Sequence, residues 1–408
     1  MENNGPLKGI KVVDMTINMA GPTCSLYLAD LGADVIKIER PGRGDDTRRF
    51  IPPDIKGESS AFMMMNRNKR GLALDIKSEA GKEIYKRLAS QADVVVENFK
   101  HDTLVRNGIG YEVLKELNPG LIYCSLTGFG RTGPYADRGG LDLVAQGYSG
   151  LMSITGEGGD RPPAKVGAPI CDIMSGMFAA MGVMAALHHR DRTGEGQMVD
   201  SSLLEAGVTA TYHQSAMYIA TGESPPAMGT VHPLSAPYQA FECSDGYLTV
   251  AAGADERWGR LCKAFGIEEF IADPRFKEAP LRMKNLKALQ DLLAPHFARM
   301  TREDCRVLLD KHGVPAGPIL SIGEMHEDPQ VKAREMFVEV QHSRVGRVRT
   351  MGSPMKFSRT PASVRRGAPL LGEHSREVLA EIGYNDVEIE KLVAEGAIGV
   401  PALPRAAE

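Results

Sequence analysis

Ile10-Lys-Val-Val-Asp-Met15 and Ala33-Asp-Val-Ile-Lys-Ile-Glu39 are two short runs rich in β-branched residues. Between them Gly21-Pro22 opens a helical stretch that reaches about Leu31, and Gly32 ends it. Strands joined through a helix pair in parallel, because only a long crossover lets the second strand run the same way as the first. The unit then repeats. Leu72-Ala-Leu-Asp-Ile76 reads as a strand, Ser78 caps a helix through about Gln91, and Asp93-Val-Val-Val-Glu97 reads as the next strand. Tyr111 to Leu117 is helical and Leu121-Ile-Tyr-Cys-Ser-Leu126 is again a strand. This alternation predicts an α/β fold: a large Rossmann-like, doubly wound domain on a parallel sheet.

Further along, Asp142–Leu151 and Asp172–His189 read as helices and Gln197–Asp200 as a strand. Ser201 or Ser202 caps a helix over Leu203–Thr221. The Pro/Gly-rich break Gly222-Glu-Ser-Pro-Pro-Ala-Met-Gly229 marks a linker. Beyond it, Tyr238–Cys243 and Tyr247–Ala251 flank Ser244-Asp-Gly246, a hairpin signal, and helices follow near Arg257–Phe265, Leu286–Met300 and Arg302–His312. The chain then turns basic and Pro/Gly-rich before helices near Ser375–Ile382 and Asp386–Glu395. The expected organisation is a large domain over 1–224, a smaller α+β domain over 225–328, and a segment over 329–408 that returns to the large domain.

The 408 residues are 43% hydrophobic and 25% charged, the balance of a globular protein rather than a disordered one. A net charge of −4 argues against nucleic-acid binding through bulk positive charge. Six cysteines are scattered without a CxxC pair, which suits reduced thiols in the cytoplasm and signals no zinc or redox site. No signal core opens the chain. The longest near-apolar run, Ile173 to Leu187, falls short of the ~20 residues that cross a bilayer, so no membrane partner is expected.

Several groups could carry chemistry. Gly128-Phe-Gly130-Arg-Thr-Gly133 fits G-x-G-x-x-G, yet Pro134 and Gly139-Gly140 interrupt the helix that a dinucleotide site needs, so a flexible glycine loop is the better reading. Asp172 stands at a helix start. From position alone it is an N-cap; the same helix-end field would keep its carboxylate ionised at neutral pH, ready to attack an acyl group. The small residues after it (Ser175, Gly176, Ala179, Ala180, Gly182) allow close approach of another backbone. Arg40 follows one predicted strand end, and Asn98, Phe99 and Lys100 follow another, which is where α/β sheets bind ligands; such residues suit a phosphorylated nucleotide handle. The ten histidines show no metal-ligand spacing, and no metal is expected.

These residues together resemble the family III CoA-transferases, the group of formyl-CoA and carnitine CoA-transferases, which shares its scaffold with the α-methylacyl-CoA racemases. The resemblance rests on an ordered set: Ala20-Gly-Pro22, Leu31–Arg40, Asn68-Lys-Arg70, Leu74-Asp-Ile-Lys77, Ala92–Phe99, Leu117-Asn-Pro119, Val144-Ala-Gln146, Gly167–Asp172, Thr193–Gln197, Ala236–Phe241 and Gly313–Pro318. It implies that Asp172 is the nucleophile, loaded first as an acyl anhydride and then as a CoA thioester. It also implies that Arg40, Leu74, Lys77, Asn98, Phe99, Lys100 and Arg106 contact coenzyme A, with Arg138 a looser match. Coenzyme A and acyl-CoA would be substrates, with no permanently bound cofactor, and the chain would form an interlocked homodimer. A carboxylic acid would be the second small-molecule partner.

Two departures narrow that expectation. The racemases carry a His-Asp pair where this chain has Leu141-Asp142, and leucine cannot shuttle a proton. The oxalate enzymes carry a Gln where this chain has Met19, and a glycine run where it reads Ala251-Ala-Gly253-Ala-Asp-Glu256. Met19, Leu141 and Gly253 are therefore candidate acid-site residues, favouring a larger or less polar acid than oxalate, with succinyl-CoA as donor. The alternatives are an acyl-CoA racemase or isomerase on this scaffold, and a CoA-transferase subunit that needs a paralogous partner.

Overall fold

The computed structural model describes residues 3–100 and 102–401. Packing divides them into two units, one comprising residues up to 151, 166–212 and 329 onward, the other 152–165 and 213–328. Sequence punctuation alone places the first divide at 224/225. In the structure residues 152–165 already belong to the second unit, and its main run begins between Tyr212 and His213, at the head of a helix, Tyr212–Thr221, that has no buried residue.

The first unit is built on a seven-stranded sheet. Its strands are β1 (Lys11–Asp14), β2 (Asp34–Glu39), β3 (Lys69–Leu74), β4 (Val94–Glu97), β5 (Ile122–Thr127), β6 (Met198–Ser202) and the short β7 (Ile398–Gly399). Their order is β7-β3-β2-β1-β4-β5-β6; all pairs are parallel except β7 with β3. The chain thus builds outward from β1 to β3, then returns to lay β4 on the other side of β1. That reversal opens a crevice at the carboxyl ends of β1 and β4.

Both faces of the sheet are covered, which is why its strands read as near-continuous apolar runs. Val13, Val95 and Tyr123 pack beneath α2 (Glu79–Gln91), together with Val378 and Ile389 near the C-terminus. Val12, Val94, Val96 and Cys124 face α1 (Ala20–Asp30) and the long helix Ile170–Thr193. Ser78 caps α2 as expected, its Oγ accepting the Gly81 N–H at 3.0 Å. The small residues of the long helix serve α1: a Cβ on Gly176 would lie 2.5 Å from the Ala20 carbonyl oxygen. That helix runs 24 residues, longer than the sequence suggested, and its best 18-residue window has a mean hydropathy of 1.8. By length and composition it could cross a bilayer, which corrects the expectation drawn from the apolar run alone. In this unit one of its faces is buried, through Ser175, Ala179, Val183 and Ala186.

Charge is buried under the crevice. Asp14 on β1 meets Lys69 on β3 at 2.9 Å, Lys37 on β2 meets Asp45 at 2.9 Å, and all four side chains are fully buried. Burial pushes the Asp14 carboxyl up, but Lys69, Lys37 and the hydroxyls of Ser25 and Thr16 outweigh it and hold it at about 2. Lys37 also donates to the Thr16 carbonyl at 2.8 Å, and Asp45 accepts the Asn18 N–H at 3.1 Å. The network therefore fastens the loop after β1 to the loop after β2.

In the second unit, strands Tyr238–Cys243 and Gly246–Ala251 form the expected hairpin and Ala316–Pro318 adds a third antiparallel strand. Helices Asp255–Phe265, Leu286–Ala298 and Arg302–Lys311 pack on it around Trp258, Leu293 and Phe297. Arg282 is fully buried and donates to the carbonyls of Ala236, Phe276 and Gly253 at 2.7 Å each.

Lys69→Met should leave Asp14 buried without its closest cation and cost about 3–5 kcal/mol. The expected reading is a lower urea midpoint for unfolding of the first unit; an unchanged midpoint would mean that the network contributes no stability.

Candidate active site

The loops after β1 and β4 are tied across the crevice by one side chain. Asn98 accepts the Ile17 N–H at 2.9 Å and donates to the Ile17 carbonyl at 2.8 Å. Cavities open on either side of this clamp, and both are lined by Ile17 and Phe99. The larger, of about 300 Å³, has apolar walls from Met15, Ile38, Leu74 and Ile76 and cations from Arg40, Arg43 and Lys77. Glu39, Asp45, Asp46 and Asp75 line it as well, with Asp46 facing Arg43 at 3.3 Å, so Arg40 and Lys77 are the cations it offers to the phosphates of a ligand whose flat base lies on the apolar walls. The other, of about 160 Å³, is lined by Met19, Leu126, Leu141 and Leu203 together with Lys100, Arg138 and Asp172. It joins one carboxylate to an apolar wall and two cations.

Asp172 enters from the long helix Ile170–Thr193, labelled α4, which follows α3 (Asp142–Tyr148). It is not the N-cap that its position suggested. The helix begins at Ile170, Pro169 occupies the cap, and no cap side chain bonds the first turn. The missing acceptor comes from Asp142 at the head of α3: its Oδ1 accepts the N–H of Cys171 at 2.9 Å and of Asp172 at 3.4 Å. Asp142 is in turn held by Gln146, whose Nε2 donates to Oδ2 at 2.7 Å.

The electrostatics also differ from expectation. Burial first, and then the charge of Asp142, push the Asp172 carboxyl up to about 7. A helix end was expected to keep this group fully ionised at neutral pH; desolvation beside a like charge wins instead. Such a carboxylate is poorly hydrated and basic, which strengthens it as a nucleophile toward an acyl carbon.

Of the residues singled out in the sequence, Arg40, Leu74, Lys77 and Phe99 meet at the larger cavity. Met19, Asn98, Phe99, Lys100, Arg138, Leu141 and Asp172 meet at the smaller. Both ends of the Asn98 amide are engaged by Ile17, so this residue positions the loops. Arg106 ends the short helix Thr103–Arg106, is exposed and lines neither cavity. Gly253 belongs to the second unit, where a Cβ would collide with the Ser235 hydroxyl oxygen at 1.8 Å. The glycine loop after β5 does run into turns rather than a helix, with Gly130 and Gly133 at φ of +91° and +85°. Among the described residues no group of three or more His, Cys, Asp or Glu could hold a metal ion.

Sequence reasoning missed Asp142 as the partner of Asp172, and it missed the aromatic shelf of Phe129, Tyr135 and Tyr148 beside Arg138. The one signal for the first was an acidic residue opening a helix with Gln four positions on.

Infrared difference spectra against Asp172→Asn should show the protonated carboxyl band of Asp172 disappearing as pH rises through about 7. Asp142→Asn removes the like charge and should move that midpoint to lower pH. A midpoint in the ordinary carboxylate range in the unsubstituted protein would refute the assigned environment.

The family model for CoA-transferase family III matches residues 7–375. A succinyl-CoA:glutarate CoA-transferase of Mus musculus is 39% identical over 395 residues, covering 96% of this chain and 90% of that protein. A succinate–glutarate CoA-transferase of Agrobacterium fabrum is 40% identical over 383 residues, covering 92% of this chain and 96% of that one. Among solved structures, a CAIB/BAIF family protein from Brucella suis is 42% identical with a TM-score of 0.84, covering 93% of this chain and all of that one (100%). With this crevice, this carboxylate and likeness over nearly its full length, the chain belongs to CoA-transferase family III and is a CoA-transferase.

Proposed function

We propose that the protein moves coenzyme A from succinyl-CoA to a second small carboxylic acid through covalent intermediates on Asp172. The observation that carries this reading is the partly buried, basic carboxylate of Asp172 in a cavity that shares Ile17 and Phe99 with a larger slot bearing Arg40 and Lys77. Relatives named for succinyl-CoA or succinate support the donor.

In the proposed sequence, Asp172 attacks the thioester carbonyl, the C–S bond breaks, and the CoA thiolate leaves an acyl-aspartyl anhydride. The thiolate then attacks the aspartyl carbonyl, releasing the donor acid as its carboxylate and leaving an aspartyl-CoA thioester. The acceptor carboxylate attacks this thioester and expels the thiolate. The thiolate finally attacks the acceptor's acyl carbon, which frees Asp172 and forms the new acyl-CoA. Each step exchanges one acyl bond for another, so electrons and protons balance without an outside reagent. The nucleotide end would lie in the larger cavity, with Arg40 and Lys77 at its phosphates, leaving the thioester to approach past Ile17 and Phe99.

Leu141 lines the acid cavity and carries no proton, which favours group transfer over racemisation. Exposed apolar side chains on the first unit, including Leu143, Met177, Met181 and Val208, would be covered by a second copy in an interlocked homodimer. Sedimentation equilibrium should then give a dimer mass; a monomer at micromolar concentration would refute this assembly. All six cysteines are free and buried, which suits the cytoplasm as the place of work.

Asp172→Ala should lose CoA exchange between succinyl-CoA and glutarate entirely while still binding coenzyme A. Intact mass under turnover with hydroxylamine should show Asp172 converted to its hydroxamate. Exchange by the alanine variant, or an unmodified Asp172 during turnover, would overturn the mechanism.

A further inference from the structure

We propose that Arg138 receives the remote carboxylate of an α,ω-dicarboxylic acid reacting at Asp172, so that this cavity selects dicarboxylates over monocarboxylates of the same length. The inference rests on the covalent reading of Asp172 and adds the group that reads the far end of the acid.

The cavity around Asp172 has walls that suit a methylene chain, from Met19, Leu126, Leu141 and Leu203. A second carboxylate carried in on that chain would give up part of its hydration against the apolar wall and gain from a cation placed at the cavity's rim. Two cations line the cavity, Lys100 and Arg138. Both side chains are exposed, and Lys100 is shared with a neighbouring cavity that already contains Glu97 and Asp102. Arg138 has no carboxylate partner among the described residues; its neighbours are aromatic.

Those neighbours fix its orientation. The guanidinium lies 4.0 Å over the ring of Tyr135, and Nη1 donates to the Tyr148 hydroxyl at 3.2 Å. Tyr135 and Tyr148 pack edge-on against each other and against Phe129, with centroids 5.3 to 5.9 Å apart. A planar fork held on an aromatic shelf is set to engage a carboxylate with two parallel hydrogen bonds, at little further cost in order. The loop that carries it is pinched at its base. Gly128 and Gly140 approach so closely that a Cβ on either would lie 2.5 Å from the other's Cα. This pinch holds Arg138 beside the carboxyl end of β5.

The test compares succinyl-CoA with butyryl-CoA, which replaces the remote carboxylate by a methyl group, in the thiol-releasing half-reaction trapped with hydroxylamine. The unsubstituted protein should prefer succinyl-CoA. In Arg138→Met the ratio of the two kcat/KM values should fall by about 10- to 100-fold, the worth of one charge-assisted pair. Arg138→Lys should restore part of it. An unchanged ratio would overturn the proposal, whatever happens to the overall rate, because loss of CoA binding or of folding affects both donors alike. Calorimetric titration of glutarate and pentanoate onto the CoA-loaded protein reads the same contact without turnover: glutarate binding that depends on Arg138 supports the assignment, and binding indifferent to it refutes it. A protein that binds glutarate through Arg138 yet forms no adduct on Asp172 would overturn the covalent mechanism and leave this assignment standing.

Discussion

The amino end of α4 has N–H groups that need an acceptor, and the Pro169 ring at the cap offers none. Asp142 fills that need from another helix, accepting from Cys171 and Asp172. The solution brings a second negative charge beside Asp172 in a place already short of water. Two opposing fields then act on one carboxyl. The helix end favours the anion, while burial and Asp142 favour the acid, and the latter prevail. A carboxylate that is basic yet still available near neutral pH is the result, and the reaction proposed here depends on it.

Such a balance requires fixed geometry, and much of that comes from charge buried deeper. The loops bearing Met19 and Arg40 hang from Asp14, Lys37, Lys69 and Asp45, none of which reaches solvent. Apolar residues of similar volume could pack as stably there. What ions add is direction: Lys37 reaches the Thr16 carbonyl and Asp45 reaches the Asn18 N–H, so the loop after β1 has one preferred path. Asn98 completes the frame by fastening Ile17 to the end of β4.

These same features explain what was legible in the sequence. The α2 cap at Ser78, the helix Tyr111–Leu117 and the hairpin around Ser244-Asp-Gly246 depend on neighbouring residues, and local pattern found them. Strand β3 begins at Lys69 rather than Leu72 because Lys69 and Arg70 are buried against distant partners, Asp14 and Asp34, which no periodicity reveals. The hairpin Phe337–His342 with Gly346–Met351 was hidden in a stretch that reads only as basic and Pro/Gly-rich. At the site, Asp172 stood out through its place before an apolar helix and through family likeness. Its coupling to Asp142 spans thirty residues and exists only because α3 and α4 meet.

Leu141 and Asp142 are adjacent, yet the structure gives them separate work. Leu141 is extended, with φ −130° and ψ 160°, and lines the acid cavity, while Asp142 serves the end of α4. Extended backbone sends successive side chains to opposite sides, so in the proposed reaction position 141 would set what the substrate meets and position 142 how basic Asp172 is. A proton-carrying residue at 141 would place an acid or base against a bound acyl group. Leucine there leaves the Asp172 carboxylate facing an apolar wall, an arrangement that would favour moving a group over moving a proton. On the proposed mechanism, acid selectivity and the basicity of Asp172 would then be set by neighbouring residues whose side chains answer to different elements of the fold.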